Sequence, residues 1–221
     1  MTGPNPDLKL VPSDALESYE ARVFVVDDDD SVARAMVRVL QSAGHKVETF
    51  ASAEDFLARE PYTDLGCIFL DLRMSGMNGL EMQKELERRK SHLPIVFLSG
   101  TGDIPTSVRA IQGGALNFLT KPLRANQVLS AAKLALERHS KLLQRSQRAK
   151  QLTERFDRLT EREAEVCQQV VRGLLNKQIA HEMGISEQTV KVHRARVMTK
   201  MEVSSVADLV RLVDEFKQSR V

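Results

Sequence analysis

Apolar positions in the first 125 residues alternate between two patterns. Runs that are apolar almost to their last residue cover 23–26, 66–71 and 94–99, which is typical of strands buried on both faces of a parallel sheet. Shorter strands are predicted at 46–50 and 117–122. Helical spacing predicts helices between them, at residues 31–43, from residue 52, and at residues 80–90 and 104–112. Strands that alternate with helices predict βαβ units, a parallel α/β sheet and right-handed crossovers.

The predicted strands end in polar side chains with related chemistry. The first ends in Asp27–Asp30, and three later strands end in Asp71, Ser99 and Lys121. Ligand sites of open α/β sheets lie at the carboxyl ends of strands, so these groups are expected along one edge. Carboxylates suit Mg²⁺, and a carboxylate can attack a phosphoryl group whose oxygens a cation and a hydroxyl stabilise. Each residue alone also fits a solvated loop, a helix cap or a turn, but the shared edge favours the functional interpretation.

Charge divides the chain of 221 residues into two halves. Residues 1–125 carry 14 Lys and Arg against 18 Asp and Glu, a net charge of −4. Residues 126–221 carry 18 against 12, a net charge of +6. This asymmetry predicts two domains with different partners, and the basic half is the candidate for nucleic-acid binding.

Several features indicate a cytoplasmic protein without a membrane span. No apolar run approaches the roughly 20 residues that a spanning helix needs. Residues 1–20 contain Pro4, Pro6 and Pro12 and have no apolar core, so we expect a disordered leader and not a signal peptide. Cys67 and Cys167 form no CxxC motif, which favours buried, reduced thiols.

Two short helical patterns in the second half predict a helix-turn-helix. Thr160 and Glu163 form a capping box at the start of a preceding helix. A helix over 176–183 ends at Gly184, and a longer one over 187–201 follows. The longer helix has a buried row, Val190, Val197 and Met201, and an opposite row, Gln188, Lys191, Val192 and Ala195.

The charge and the exposed apolar side chain of this longer helix suit DNA. It carries five basic residues against one acid, Glu187, and Val192 on the outer row fits contact with a thymine methyl group. A structural four-helix bundle with a charged surface is the alternative. The candidate DNA-binding residues are Lys177, Gln188, Thr189, Lys191, Val192, His193, Arg194, Ala195, Arg196 and Lys200.

Residues 126–156 join the two halves without Pro or Gly. This predicts one helix that begins as the last helix of the first half and continues as a linker. An apolar residue recurs every seven positions, but the row is too thin for a strong coiled coil. Its basic residues fit a solvated face, or a role in phosphate contact or dimerisation. The recurring residues are Val128, Ala135, Leu142, Ala149 and Phe156.

The first half resembles the receiver domain of bacterial two-component response regulators. The matching segments are Asp27–Asp28, Asp71–Met74 with Gly76 and Gly79, Ser99–Gly100 and Lys121–Pro122. The resemblance implies a doubly wound, flavodoxin-like sheet of five strands and phosphoryl transfer from a sensor histidine kinase onto Asp71. Ser75 departs from the family, which usually has proline there, and we expect it to loosen the loop without removing a chemical group.

The same resemblance implies roles for the residues around Asp71. Asp28, Asp71 and the backbone carbonyl of Arg73 would bind Mg²⁺, with Asp27 close by. Lys121 would contact the phosphoryl group, Ser99 would move toward it, and Phe118 would be the coupled aromatic switch. Turnover of an external substrate is not expected.

The second half resembles the LuxR/FixJ (NarL) type of DNA-binding domain, an all-α four-helix fold. The resemblance lies in residues 159–163, 173–180 and 186–194. It implies sequence-specific binding to double-stranded promoter DNA, with RNA polymerase as a further partner. Ala195 stands where some relatives have a basic residue that reads a base. The family dimerises on DNA through its last helix, here about 205–216, in which Val206, Leu209, Val210 and Val213 form an apolar row.

Together these features predict a leader (1–20), a receiver (21–125), a linker helix (126–156) and a DNA-binding domain (157–221). Phosphorylation is expected to favour a homodimer. An aspartyl phosphohydrolase is one alternative, but such enzymes commonly have a second Asp at the position of Arg73. A constitutive DNA binder with a vestigial receiver is the other, and the intact set of Asp28, Asp71, Ser99 and Lys121 argues against it.

Overall fold

The strands of the first half form one parallel sheet, as predicted. The computed structural model describes residues 21–59, 61–100 and 111–219. Within these ranges the sheet has five strands in the order β2-β1-β3-β4-β5, and every neighbouring pair is parallel. The strands are β1 Arg22–Val26, β2 Lys46–Phe50, β3 Gly66–Asp71, β4 Ile95–Ser99 and β5 Asn117–Thr120. This is the doubly wound fold expected from the sequence.

Helices cover both faces of this sheet, which explains why its central strands are continuously apolar. The described helices of the first half are α1 Asp30–Ser42, α2 Ala53–Ala58 and α3 Gly79–Arg88, and α4 Ala125–Asp157 follows β5. Val23 and Val25 of β1 pack in one apolar cluster with Met36 of α1 and Ala132 of α4. The alternate residue Phe24 packs on the other face with Phe56 of α2. Successive strand residues therefore serve opposite faces of the sheet.

Side-chain caps fix where the helices beside the strand ends begin. Asp29 is the N-cap of α1, and its carboxylate accepts hydrogen bonds from the backbone N–H groups of Ser31 and Val32. Ser52 caps α2 in the same way, as predicted. Asn78 and Glu81 form a capping box at the start of α3. These caps satisfy free N–H groups of the first helical turns and set the length of each loop at the functional edge.

The linker prediction is confirmed in that α4 is one continuous helix of 33 residues. Its predicted apolar row is incomplete, because Leu142 is 38% exposed. Contacts divide the chain into two compact units, with the division after Leu143. In the second unit, Leu152 of α4 is fully buried in the apolar core, and the ring of Phe156 stacks on that of Phe216 with centroids 4.0 Å apart.

Four further helices build the second unit around this end of α4. They are α5 Glu161–Val171, α6 Asn176–Met183, α7 Glu187–Met201 and α8 Val206–Gln218. The capping box of Thr160 and Glu163 is present, and Gly184 ends α6 with φ +65°, a conformation that glycine adopts without strain. Val190, Val197 and Met201 of α7 are buried, as predicted. The helix-turn-helix of α6 and α7 is therefore confirmed.

The apolar row predicted on the last helix is present, and two of its four residues are buried. Leu209 and Val213 are buried in the core of the second unit, whereas Val206 is 38% exposed and Val210 is half-buried. The four residues share one face of the helix, at positions i, i+3, i+4 and i+7, and the core of this small unit uses Leu209 and Val213. Dimerisation through this helix stays a prediction.

Cys67 and Cys167 are free and buried, as expected, and burial raises the pKa of the two thiols to about 12 and about 11. The leader (1–20) and most of the helix predicted at 104–112 lie outside the described residues. None of the described helices combines the length and apolarity needed to cross a membrane.

Candidate functional site

The carboxyl ends of three strands bring Asp27, Asp71 and Lys121 into contact. Asp27 follows β1, Asp71 is the last residue of β3, and Lys121 follows β5. The Nζ atom of Lys121 lies 2.8 Å from Asp27 Oδ2 and 2.9 Å from Asp71 Oδ1. Both carboxylates are buried, at 2% and 5% exposure. The edge predicted from the ends of the strands therefore exists, and its cation bridges two acids.

The electrostatics of this triad are balanced between burial and ion pairing. Burial raises the pKa of Asp71, and the ammonium of Lys121 opposes that shift without cancelling it. Burial alone would lower the pKa of Lys121, but its contacts with the two carboxylates outweigh burial and raise it. Lys121 therefore stays protonated, and it provides a fixed positive charge beside an acid that water solvates poorly.

Asp28 completes a group of three carboxylates. One oxygen from each of Asp27, Asp28 and Asp71 lies within 4.8 Å of the others. Hard oxygen ligands at this spacing fit Mg²⁺, and the exposure of Asp28 leaves a path from solvent. The backbone N–H of Arg73 donates to Asp71 Oδ2 at 3.1 Å. The predicted ligand role of the Arg73 carbonyl stays a prediction.

The two predicted switch residues have other partners in this structure. Ser99 is 1% exposed, and its hydroxyl donates to the carbonyl of Gly100 at 2.9 Å. The ring of Phe118 is half-buried and packs against the apolar cluster on the α2–α3 face of the sheet. Any movement of Ser99 toward Asp71 must break its bond to Gly100.

In the second unit, α7 presents a polar outer row to solvent. Its N-terminus is fixed by Ser186, whose hydroxyl accepts from the backbone N–H of Thr189 at 3.1 Å. An exposed valine in this row gives it the mixed character of a surface that contacts base edges. The predicted DNA-binding residues that are exposed are Gln188, Lys191, Val192, Ala195 and Arg196 on α7 and Lys177 on α6.

Four predicted DNA-binding residues are partly buried: Thr189, His193, Arg194 and Lys200. Arg194 donates to the side chain of Asn176 at 2.9 Å, which ties α7 to the start of α6. Lys200 donates to the buried carboxylate of Glu163 at 2.6 Å. These two basic side chains stabilise the packing of α7 in addition to any role at its surface.

Comparison with known proteins agrees with both units. Residues 23–133 match the family described as response regulator receiver domain. Residues 157–213 match the family described as bacterial regulatory proteins, luxR family. The chain is a response regulator of the FixJ/LuxR type.

Relatives share this organisation over nearly their whole length. The regulator is 41% identical over 204 residues to the response regulator protein TmoT of Ectopseudomonas mendocina, which covers 92% of this chain and 93% of TmoT. It is 40% identical over 190 residues to the transcriptional regulatory protein FixJ of Azorhizobium caulinodans, and the match covers 86% of this chain and 90% of FixJ. The solved structure of response regulator StyR matches with a TM-score of 0.83 at 46% identity, and the match covers 88% of this chain and 98% of the StyR chain. The regulator is thus a transcriptional response regulator of a two-component system, as predicted.

The expectation that Ser75 loosens the loop after Asp71 is wrong, because Ser75 holds this loop; Glu54, which also holds it, was not identified from the sequence. Ser75 donates to Asp28 Oδ2 from its backbone N–H at 2.9 Å and from its hydroxyl at 3.3 Å. Glu54 of α2 accepts from the backbone N–H of Met77 at 2.9 Å. The role of Ser75 could have been found, because replacing proline adds an N–H donor. No local pattern reveals Glu54, which is 23 residues from its partner.

Proposed function

We propose that the regulator accepts a phosphoryl group on Asp71 from a sensor histidine kinase. The observation that carries this is the contact of Lys121 with Asp71 at 2.9 Å inside a group of three carboxylates. A carboxylate oxygen of Asp71 attacks the phosphorus, and the bond from phosphorus to the kinase histidine breaks with its electrons going to the imidazole nitrogen. Lys121 neutralises the phosphoryl oxygens as they arrive.

Mg²⁺ is the proposed cofactor of this transfer. Asp28 and Asp71 would hold it directly, with Asp27 beside them and the Arg73 carbonyl as a further ligand. A bound Mg²⁺ would neutralise charge on the acids and the phosphoryl oxygens. The chemistry of the donors supports this choice, since the group consists of carboxylates and offers no soft ligand.

The phosphoryl group would then act as a switch. It adds roughly −1.5 to −2 charges at neutral pH, which attracts Lys121 and the Ser99 hydroxyl. Ser99 leaves the Gly100 carbonyl, and the space on its side of the sheet becomes available to Phe118. We propose that this change favours a homodimer.

The DNA-binding surface is proposed to be the outer row of α7. Lys191 and Arg196 supply charge for the phosphate backbone and base edges, and Val192 supplies an apolar contact. Lys177 adds a positive charge from α6. Gln188, Ala195 and the partly buried Thr189, His193, Arg194 and Lys200 complete the proposed surface, which binds double-stranded promoter DNA.

The remaining proposals concern partners and location. Val206, which is exposed, and Val210, which is half-buried, offer a small apolar contact on α8 for a second copy on DNA. RNA polymerase is a further partner of a regulator bound at a promoter. The regulator is proposed to act in the bacterial cytoplasm, where its DNA and kinase meet, and to turn over no external substrate.

Phosphoryl incorporation tests the assignment of Asp71. The full-length chain is incubated with acetyl phosphate and MgCl₂, and the intact mass and the modified peptide are measured. The wild type should gain one phosphoryl group on Asp71, and Asp71→Asn should gain none. Asp64→Asn is the matched control, because Asp64 is exposed near the opposite end of β3. Incorporation in Asp71→Asn equal to that in the wild type would overturn the assignment.

A further inference from the structure

The loop between β3 and α3 is fixed by carboxylates that belong to other elements. On one side, Ser75 donates twice to Asp28 in the loop that follows β1. On the other side, the Met77 N–H donates to Glu54 of α2. Gly76, between them, has φ +81°, and a Cβ atom there would lie 2.9 Å from Glu54 Oε1. The loop that follows Asp71 is therefore attached to both the loop after β1 and α2.

The bonds from Ser75 define how Asp28 is oriented. Both donors reach the same oxygen, Oδ2, at 2.9 and 3.3 Å. A carboxylate has about four lone-pair sites on its two oxygens, so Oδ1 stays available to a cation. Asp28 is exposed, and without these bonds an exposed side chain would populate several rotamers. Two donors from one residue therefore reduce the freedom that Asp28 would lose on binding an ion.

We propose that Ser75 is a positioning residue for the Mg²⁺ site, which it serves by holding the Asp28 carboxylate in place for the ion. This inference rests on the proposed Mg²⁺ site. Groups that orient a metal ligand commonly change metal affinity when they are removed. A proline at position 75 has neither an N–H nor a hydroxyl, so this means of orienting Asp28 depends on the serine.

The proposal also connects the ion to the acceptor loop. Ser75 lies four residues after Asp71, and Arg73 between them donates its N–H to Asp71. An ion that fixes Asp28 thereby fixes Ser75 and the segment that leads back to Asp71. Loss of the Ser75 bonds should weaken ion binding and, in the same variants, reduce the stabilisation of the fold by Mg²⁺.

Calorimetric titration of the full-length protein with MgCl₂ tests this role. Ser75→Ala keeps the N–H and loses the hydroxyl, so its dissociation constant should rise about 2- to 10-fold. Ser75→Pro loses both donors, so its dissociation constant for Mg²⁺ should rise about 10- to 100-fold. Ser75→Thr keeps both and should bind like the wild type. Ser42→Ala is the control, because the Ser42 hydroxyl bonds within α1, to the carbonyl of Val39 at 2.7 Å.

A second readout measures Mg²⁺ binding through the stability of the fold, and like the titration it does not depend on phosphorylation. The increase in urea midpoint on adding MgCl₂ should be largest in the wild type and Ser75→Thr, and smaller in Ser75→Ala. Equal Mg²⁺ affinity in the wild type, Ser75→Ala and Ser75→Pro would overturn the role of Ser75, and so would tighter binding by either variant. If the wild type itself bound no Mg²⁺, the proposed cofactor would be wrong instead. If Ser75→Pro does not fold, the comparison of Ser75→Ala with Ser75→Thr decides.

Discussion

The ammonium of Lys200 donates to the carboxylate of Glu163 at 2.6 Å, which joins the end of α7 to the start of α5. Glu163 is 2% exposed, and Lys200 also donates to the carbonyl of Arg158 at 2.9 Å. The bond from Lys200 is the main cause that lowers the pKa of Glu163 to about 2. A basic residue predicted from its charge to contact DNA thus also stabilises the domain that presents the DNA-binding surface.

Replacing Lys200 should destabilise the second unit. In Lys200→Met the buried Glu163 carboxylate loses its cation and keeps the capping bond that it accepts from the backbone N–H of Thr160. We expect a loss of about 1–3 kcal/mol in the free energy of unfolding, measured with urea. Lys191→Met, at an exposed position on the same helix, should stay within about 0.5 kcal/mol of the wild type. Equal stability of the two variants would show that the ion pair contributes nothing.

His139 should make the stability of the first unit depend on pH. Its Nδ1 accepts the N–H of Gly66 at 3.0 Å, and its side chain is buried. Burial, together with the nearby His92, lowers the pKa of His139, so its folded pKa lies below the unfolded value of 6.5. The stability that depends on neutral His139 is therefore present above about pH 6.5. It is lost as the pH falls toward the folded pKa, because the unfolded chain takes up a proton first.

Urea titrations at pH 8 and pH 5.5 measure this dependence. His139→Asn keeps an acceptor near Gly66 but cannot be protonated, so it should lose less stability on acidification than the wild type. His181→Asn, at an exposed position on α6, should follow the wild type. Parallel curves for the wild type and His139→Asn would contradict the prediction.

Lys121 should compete electrostatically with Mg²⁺ for the same acids. Lys121→Met removes the cation that lies 2.8 Å from Asp27 and 2.9 Å from Asp71. Without Mg²⁺ we expect this variant to be less stable than the wild type by about 1–3 kcal/mol. Adding MgCl₂ should stabilise it more than it stabilises the wild type, since the ion then neutralises acids that have lost their cation. Lys133→Met, exposed on α4, serves as the control, and an equal shift in all three proteins would refute the competition.

Substitutions in the outer row of α7 should affect DNA affinity and sequence preference differently, depending on the residue. Arg196→Ala should weaken binding to every duplex and reduce the slope of log affinity against log salt by about 1, as expected of a phosphate contact. Lys191→Ala should in addition reduce the preference for a selected duplex over an unrelated one, by about 1–3 kcal/mol. Fluorescence anisotropy with a duplex that the wild type selects from random sequence measures both effects. Unchanged slope and preference in both variants would rule out this surface.

Local patterns predicted most of the fold because each element is specified by nearby residues. The continuous run of Val23–Val26 requires burial on both faces, and the capping residues Ser52 and Thr160 mark helix starts that the structure confirms. The ends of the strands then located the acidic edge, since parallel strands share one carboxyl end.

The contacts that the sequence did not reveal are those set by distant packing. The hydrogen bond from the Met77 N–H to Glu54 joins residues 23 positions apart, and the ion pair of Lys200 and Glu163 joins residues 37 positions apart. Likewise, the burial of Leu209 and Val213 depends on the surrounding helices and not on the pattern of α8 alone. An apolar row shows which residues avoid water, but it does not distinguish a domain core from a dimer contact.

The central claim is that a phosphoryl group on Asp71 controls DNA binding. The most direct measurement is the DNA affinity of the full-length protein before and after incubation with acetyl phosphate and MgCl₂, for the wild type and Asp71→Asn. Wild-type affinity should increase about 5- to 150-fold, the range of typical coupling energies, and Asp71→Asn should show no change. Unchanged affinity in the phosphorylated wild type, or an equal increase in Asp71→Asn, would contradict the claim.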